Sequence, residues 1–221
     1  MEDLRPGIVA LGRWSLAARI LIAPLLLDLL ALTVAYALLA ATELDLIGIG
    51  RVMTVLLAAG TPLLVILFVL SIVPVAGWIH RAHANLEKAG VRDLRHSAGR
   101  SVGSYFLPLA NFVVPFRAMR ELHNRSHGKG SGQVTAAVAD VTRWWACHVA
   151  AVGIFLFFTL DWLADFAPAL YVAKPPGLNA AMAVLGLLLL AGSAIFLVRT
   201  IGAITAAQRQ MLHLHPGDVP A

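Results

Sequence analysis

One acidic residue lies where an acid is costly. Asp28 falls about twelve residues into an apolar run, 17–40, which at 1.5 Å per residue is ~18 Å deep in a helix. An isolated carboxylate at that depth costs several kcal/mol, so the group is expected to be protonated or paired. Its candidate partners are His148, in a later apolar run, and Thr54 or Thr61 in the next one. Two readings follow. Asp28 serves a proton or ion relay, or it is a carboxylic acid hydrogen-bonded between helices. The lack of a second acid beside it favours the structural reading.

Eight histidines supply ligand types suited to zinc. His80, His83 and Glu87 share a helix face, His123 and His127 are four apart, and His213 and His215 flank a leucine. They stand among basic residues, with no cysteine cluster and no H-E-x-x-H motif, so interfacial polar histidines are expected rather than a metal site. Glu121 is a candidate partner for Arg81 or Arg117. Nucleophile elbows, P-loops and dinucleotide fingerprints are missing, and "HGKGSG" lacks Walker spacing. The expectation is a non-enzymatic protein with no cofactor, no metal and no catalytic residue.

The elements that must position these residues are membrane helices. The chain has 221 residues, of which 59% are hydrophobic and 13% charged, with a mean hydropathy of +0.80. Four apolar runs, about 17–40, 52–78, 144–163 and 178–198, reach the ~20 residues that span a ~30 Å hydrocarbon core. Each is expected to be a helix, because backbone groups in lipid must be satisfied within the segment. The first run is too long for a signal-peptide core and contains Asp28, so it is read as a retained helix. The fold class is therefore all-α: a single polytopic membrane domain, 1–221, built as a four-helix bundle.

Positive charge sets the orientation. Ten basic residues, from Arg81 to Arg143, crowd the segment between the second and third runs, whereas the 164–177 loop carries only Lys174. By the positive-inside rule the N-terminus, the middle segment and the C-terminus face the cytoplasm. A net charge of +5 is then topogenic and attracts anionic lipid headgroups. It is not read as nucleic-acid binding, since no recognition motif accompanies it. Three lysines against fourteen arginines suggest a GC-rich bacterial genome, and hence an inner-membrane location. The single cysteine, Cys147, excludes intramolecular disulfides.

The middle segment has its own organisation. Trp78 is expected as an interfacial anchor, followed by a polar stripe of Arg81, Asn85 and Lys88 and a helix stop at Gly90. Arg81 and Asn85 either face solvent or point back into the bundle. Residues 102–114 are uncharged but too few to cross a bilayer, and Pro108 breaks any helix through them. A re-entrant hairpin in the cytoplasmic leaflet is predicted, with Asn111 satisfying freed backbone groups. Pro115 suits the first turn of a new helix, in which Phe116, Met119 and Leu122 oppose Arg117, Arg120 and Glu121. That helix is predicted to lie along the membrane surface, completing a cytoplasmic element over 101–126, with 128–133 as a flexible linker.

The order GW-x-x-R-x-x-x-N (Gly77, Trp78, Arg81, Asn85), F-x-P-x-x-N-x-x-x-P (Phe106, Pro108, Asn111, Pro115), R-x-M-R-E-L (Arg117 to Leu122) and WW (Trp144, Trp145) resembles the bacterial membrane proteins called "domain of unknown function 4328". The motifs cover residues 77–145, and the arrangement of spans covers the whole chain. Tyr105, Phe112 and His148 stand where the family pattern suggests tryptophan. The resemblance implies a four-helix membrane protein and supplies no activity. Three functions are therefore carried forward. The first is a scaffold, accessory subunit or sensor contacting lipid, a membrane-protein partner or a second copy. The others are a small oligomeric transporter or channel using Asp28 and the re-entrant segment, and a membrane enzyme acting on lipid headgroups through His80, His83, His123 and Glu121.

Overall fold

Each apolar run lies inside a longer helix. The computed structural model describes residues 4–42, 50–91, 94–107, 110–129, 138–164 and 177–211. Its helices are α1 (Arg5–Thr42), α2 (Gly50–Lys88), α3 (Ala98–Gly103), α4 (Val114–Ser126), α5 (Ala139–Ala164) and α6 (Leu178–Gln210). Two 3₁₀ turns, Ser104–Phe106 and Ala110–Phe112, connect α3 to α4. Among the described residues, α1, α2, α5 and α6 are long and apolar enough to cross a membrane. With 38 and 39 residues, α1 and α2 would extend ~57 Å, well beyond a ~30 Å hydrocarbon core. Their surplus turns form the scaffold on which the connector folds.

The long helices pack in a row, so the four-helix bundle expected does not close on itself. Helix α1 packs along both α2 and α6, and α6 packs along α5. Neighbours run antiparallel. Gly77 faces Trp14 while Gly60 faces Leu32 across α1–α2, and Gly192 faces Cys147 while Gly186 faces Ile154 across α5–α6. One end of the row therefore carries the start of α1, the end of α2, the start of α5 and the end of α6. We call it the basic end. Helix α2, at the edge, leaves Val55, Leu63, Val65, Ile66, Val69 and Val73 uncovered. It runs unbroken through Pro62 and Pro74, so these prolines do not unwind it.

The core is divided between the two ends. In the apolar half, Leu25, Leu29, Leu32, Leu187 and Ala191 pack together. At the basic end a larger cluster joins Leu11, Trp78, Leu86, Met119, Leu122, Val141 and Ile201. This second cluster draws on α4, and it corrects two expectations. The apolar face of α4 is turned into the protein, with Met119 and Leu122 buried, rather than onto a membrane surface. Trp78 is fully buried rather than interfacial, and its indole N–H donates to Thr205 Oγ1 at 3.0 Å.

Local sequence accounts for the connector's boundaries. At the end of α2, Gly90 adopts φ +74°, its N–H reaches Glu87 O, and Val91 N–H reaches Leu86 O. This is a Schellman stop, which needs a residue at ease in the left-handed region. Helix α4 ends the same way, with Gly128 at φ +69° and Lys129 N–H bonded to Asn124 O. Ser97 Oγ caps α3 by accepting from Arg100 N–H. Pro115 occupies the first turn of α4, where its missing N–H costs nothing.

Candidate functional site

The polar groups at the basic end converge on one side chain that the sequence alone did not single out. Gln208, fully buried near the end of α6, accepts from Asn85 Nδ2 at 3.1 Å. Its own amide donates to Ala82 O at 2.9 Å and to Ser126 Oγ at 3.1 Å. One amide thus joins α6, α2 and α4. Asn85 Oδ1 sits directly against Gly7 of α1, where any Cβ would collide with it. Asn85 therefore faces the bundle. Arg81 is half-buried, and Arg120 is half-buried on α4.

A second junction holds the loop before α3. Glu121 is 3% exposed and accepts from Arg95 N–H at 2.7 Å and from His96 N–H at 3.1 Å. His96 Nδ1 lies 2.6 Å from the same carboxylate. The pairing with Arg81 or Arg117 anticipated from sequence is replaced by His96, because the bend at 95–96 brings three nitrogens to Glu121. Glu87, on the last turn of α2, accepts from Ala98 N–H at 3.0 Å and holds the start of α3.

No group of three His, Cys, Asp or Glu suited to a metal occurs among the described residues. His80 is exposed, while His83 is fully buried with neither ring nitrogen in a hydrogen bond. His123 is 3% exposed and stacks on His127 at 4.4 Å between centroids. Burial, with the neighbouring His127 as a lesser cause, lowers the His123 pKa to about 4, so it is neutral at pH 7. His213 and His215 lie outside the described residues.

Asp28 and His148 do not meet. Helix α6 separates α1 from α5, and His148 instead stacks on Trp145 at 5.5 Å. Trp145 in turn leans on the buried Trp144. Asp28 faces Gly60 of α2, with one carboxylate oxygen buried and making no hydrogen bond. Thr61, a proposed partner, is exposed.

In the connector, Asn111 sits in the second 3₁₀ turn and its backbone N–H donates to Leu107 O at 2.8 Å. No side-chain bond from Asn111 holds the turn among the described residues. Pro108 and most of the 128–133 linker lie outside them. Phe106, Leu107, Phe112 and Val113 are exposed and form an apolar tip on this turn.

At the start of α5, Asp140 bonds Arg143 at 3.2 Å and Arg199 of α6 at 2.9 Å. Both guanidinium groups also approach the Phe196 ring, at 5.8 and 5.9 Å. Sequence reasoning missed this latch, and it missed Gln208 and Thr205. Their only advance signal is polarity near the end of an apolar helix.

The protein-family model described as "Domain of unknown function (DUF4328)" matches residues 48–206, which takes in α2 through most of α6. No curated protein and no solved structure matches the chain.

Proposed function

The chain belongs to the domain of unknown function 4328 family, and from its geometry we propose a non-enzymatic multi-pass membrane scaffold that works by contacting lipid or a membrane-protein partner. The observation that carries this reading is the use made of the polar groups at the basic end. Gln208, Asn85, Glu121, Glu87 and Asp140 are engaged in bonds that join helices or loops. Groups locked in this way build a rigid platform; they are not poised to act on a substrate. The exposed Phe106, Leu107, Phe112 and Val113, on a connector whose sequence is rich in arginine, suit a platform edge that dips into the cytoplasmic leaflet of a bacterial inner membrane. The termini then lie on the cytoplasmic side, as positive charge favours.

A transporter is the second reading, and one observation favours it. Asp28 keeps a buried oxygen without a hydrogen bond, opposite a glycine on the neighbouring helix. Native mass spectrometry of the protein released from lipid nanodiscs separates the two. A monomer or dimer retaining anionic phospholipid is expected of the scaffold. A closed higher oligomer, or a retained non-lipid solute, would refute it in favour of transport, and Asp28→Asn would then abolish flux while leaving the fold intact.

A further inference from the structure

Helices α1 and α6 face each other through the same pattern read in opposite directions. The walls of the groove between them are Gly12, Ser15, Leu16 and Arg19 on α1, and Gly202, Thr205, Ala206 and Arg209 on α6. Both sets fall at i, i+3, i+4 and i+7, a single helical face. The stretches "GRWSLAAR" (12–19) and "GAITAAQR" (202–209) are thus paired as G-x-x-hydroxyl-x-x-x-R. Because the helices are antiparallel, each arginine meets the other helix's glycine. Arg209 Nη2 lies 2.8 Å from where a Cβ on Gly12 would stand, and Arg19 Nη2 lies 2.8 Å from one on Gly202. Each glycine leaves the room that the opposite guanidinium occupies. The arrangement is a local two-fold.

The groove is open to one side, with Leu16, Arg19, Ala206 and Arg209 exposed, and its volume of about 370 Å³ is within the ~300–1,000 Å³ range of small-molecule sites. No acidic side chain lines it, and neither arginine is in an ion pair among the described residues. Arg143 and Arg199, by contrast, share Asp140. Side chains tilt toward the start of their own helix, so Arg19 and Arg209 lean into the groove from its two ends. Two cations on one cavity repel each other unless an anion joins them. The Ser15 and Thr205 hydroxyls stand between them, and Thr205 already accepts from Trp78, which leaves its own proton to donate. The depth is also telling. Arg19 is at the start of the 17–40 apolar run, and Gly202 lies just past the end of the 178–198 run. In a membrane crossed by these apolar runs, that level would fall in the headgroup layer.

We propose that the α1–α6 groove is a phosphate-binding site in which Arg19 and Arg209, with the Ser15 and Thr205 hydroxyls, hold the phosphate of an anionic phospholipid. Arginine suits the role because its planar fork binds phosphate oxygens in pairs. The inference rests on the lipid-contacting reading above and gives it a site. A soluble phosphate ester presents the same oxygens, so the test has an arm for each source.

The full chain is reconstituted in phosphatidylcholine nanodiscs doped with dansyl-labelled phosphatidylglycerol, and tryptophan-to-dansyl energy transfer is titrated. Arg19→Gln and Arg209→Gln should each weaken association roughly fivefold, and the double variant by more than tenfold. Arg13→Gln, on the same helix outside the groove, should leave it unchanged. Gly12→Leu with Gly202→Leu keeps both charges but displaces both guanidiniums, and it should weaken association as well. Displacement of the labelled lipid by inorganic pyrophosphate, in wild type and not in the double Gln variant, would keep the site and make its ligand soluble. Wild-type association by the double Gln variant would overturn the groove while leaving the lipid-contacting reading intact. No preference for phosphatidylglycerol over phosphatidylcholine in the wild type, with no displacement by pyrophosphate, would overturn both.

Discussion

Replacing Gln208 with alanine should unfasten three helices at one point. The Asn85 amide, in a site only 3% exposed, loses its acceptor and has no water to turn to. An orphaned buried donor of this kind costs about 1–3 kcal/mol. Ala82 O keeps its in-helix partner, and Ser126 can turn its hydroxyl back onto α4, so these two add little. The emptied volume of the side chain adds roughly 1–2 kcal/mol. The total is about 2–5 kcal/mol, which for a chain of this length lowers Tm by roughly 10 °C. Thermal unfolding in nanodiscs, followed by tryptophan emission, reads it. Trp78 reports directly, being bonded to Thr205 one turn before Gln208. Gln210→Ala is the control, since that glutamine is exposed on the same turn of helix. Adding Asn85→Ala removes the orphan, so the double variant should lose about 1–2 kcal/mol less than the sum of the singles. A loss below about 1 kcal/mol for Gln208→Ala, or strict additivity in the cycle, would refute the assignment of this amide as the junction.

Other outcomes follow from the same geometry. Glu121→Ala should expose the Arg95 and His96 amides, raising their hydrogen exchange about tenfold or more; unchanged protection would mean that the loop is held elsewhere. Gly77→Ala should destabilise, because its Cβ would come within 2.8–2.9 Å of the rigid Trp14 ring, outweighing the ~1 kcal/mol that alanine adds to a helix. Gly153→Ala, which meets nothing within 4 Å, should stabilise, and matching signs for the two would contradict the packing. His123 has a folded pKa of about 4 against an ordinary 6.5, so the unfolded chain takes up the proton first as pH falls. Its contribution is complete above pH 6.5 and is lost between about 6.5 and 4, at most about 3 kcal/mol. His123→Gln should flatten that limb of the Tm–pH profile; an identical slope would remove His123 as its source.

Sequence by itself determined what depends on neighbours along the chain. Uninterrupted apolar runs require helices of spanning length, since each backbone group must be satisfied within its own segment. Gly90 and Gly128 end α2 and α4 because only a residue at ease with positive φ closes those turns, and Pro115 starts α4 because it lacks the donor a first turn cannot use. The ordered motifs from Gly77 to Trp145 were enough to name the family. Tertiary structure decided every question of partnership. Asp28 and His148 are complementary in type, but α6 stands between their helices. Glu121 has two arginines within reach by spacing, yet the bend at 95–96 delivers His96. Trp78 reads as a lipid anchor until the packed helices bury it and Thr205 of α6 accepts its indole N–H, and Gln208 and the paired Gly–Arg faces of α1 and α6 carry no signal before those helices are known to be adjacent. The physical reason is one of range. Period, length and capping are set by contacts within about four residues, whereas a hydrogen bond between helices depends on which helices stand side by side and at what height, and the 3.6-residue repeat does not encode that order.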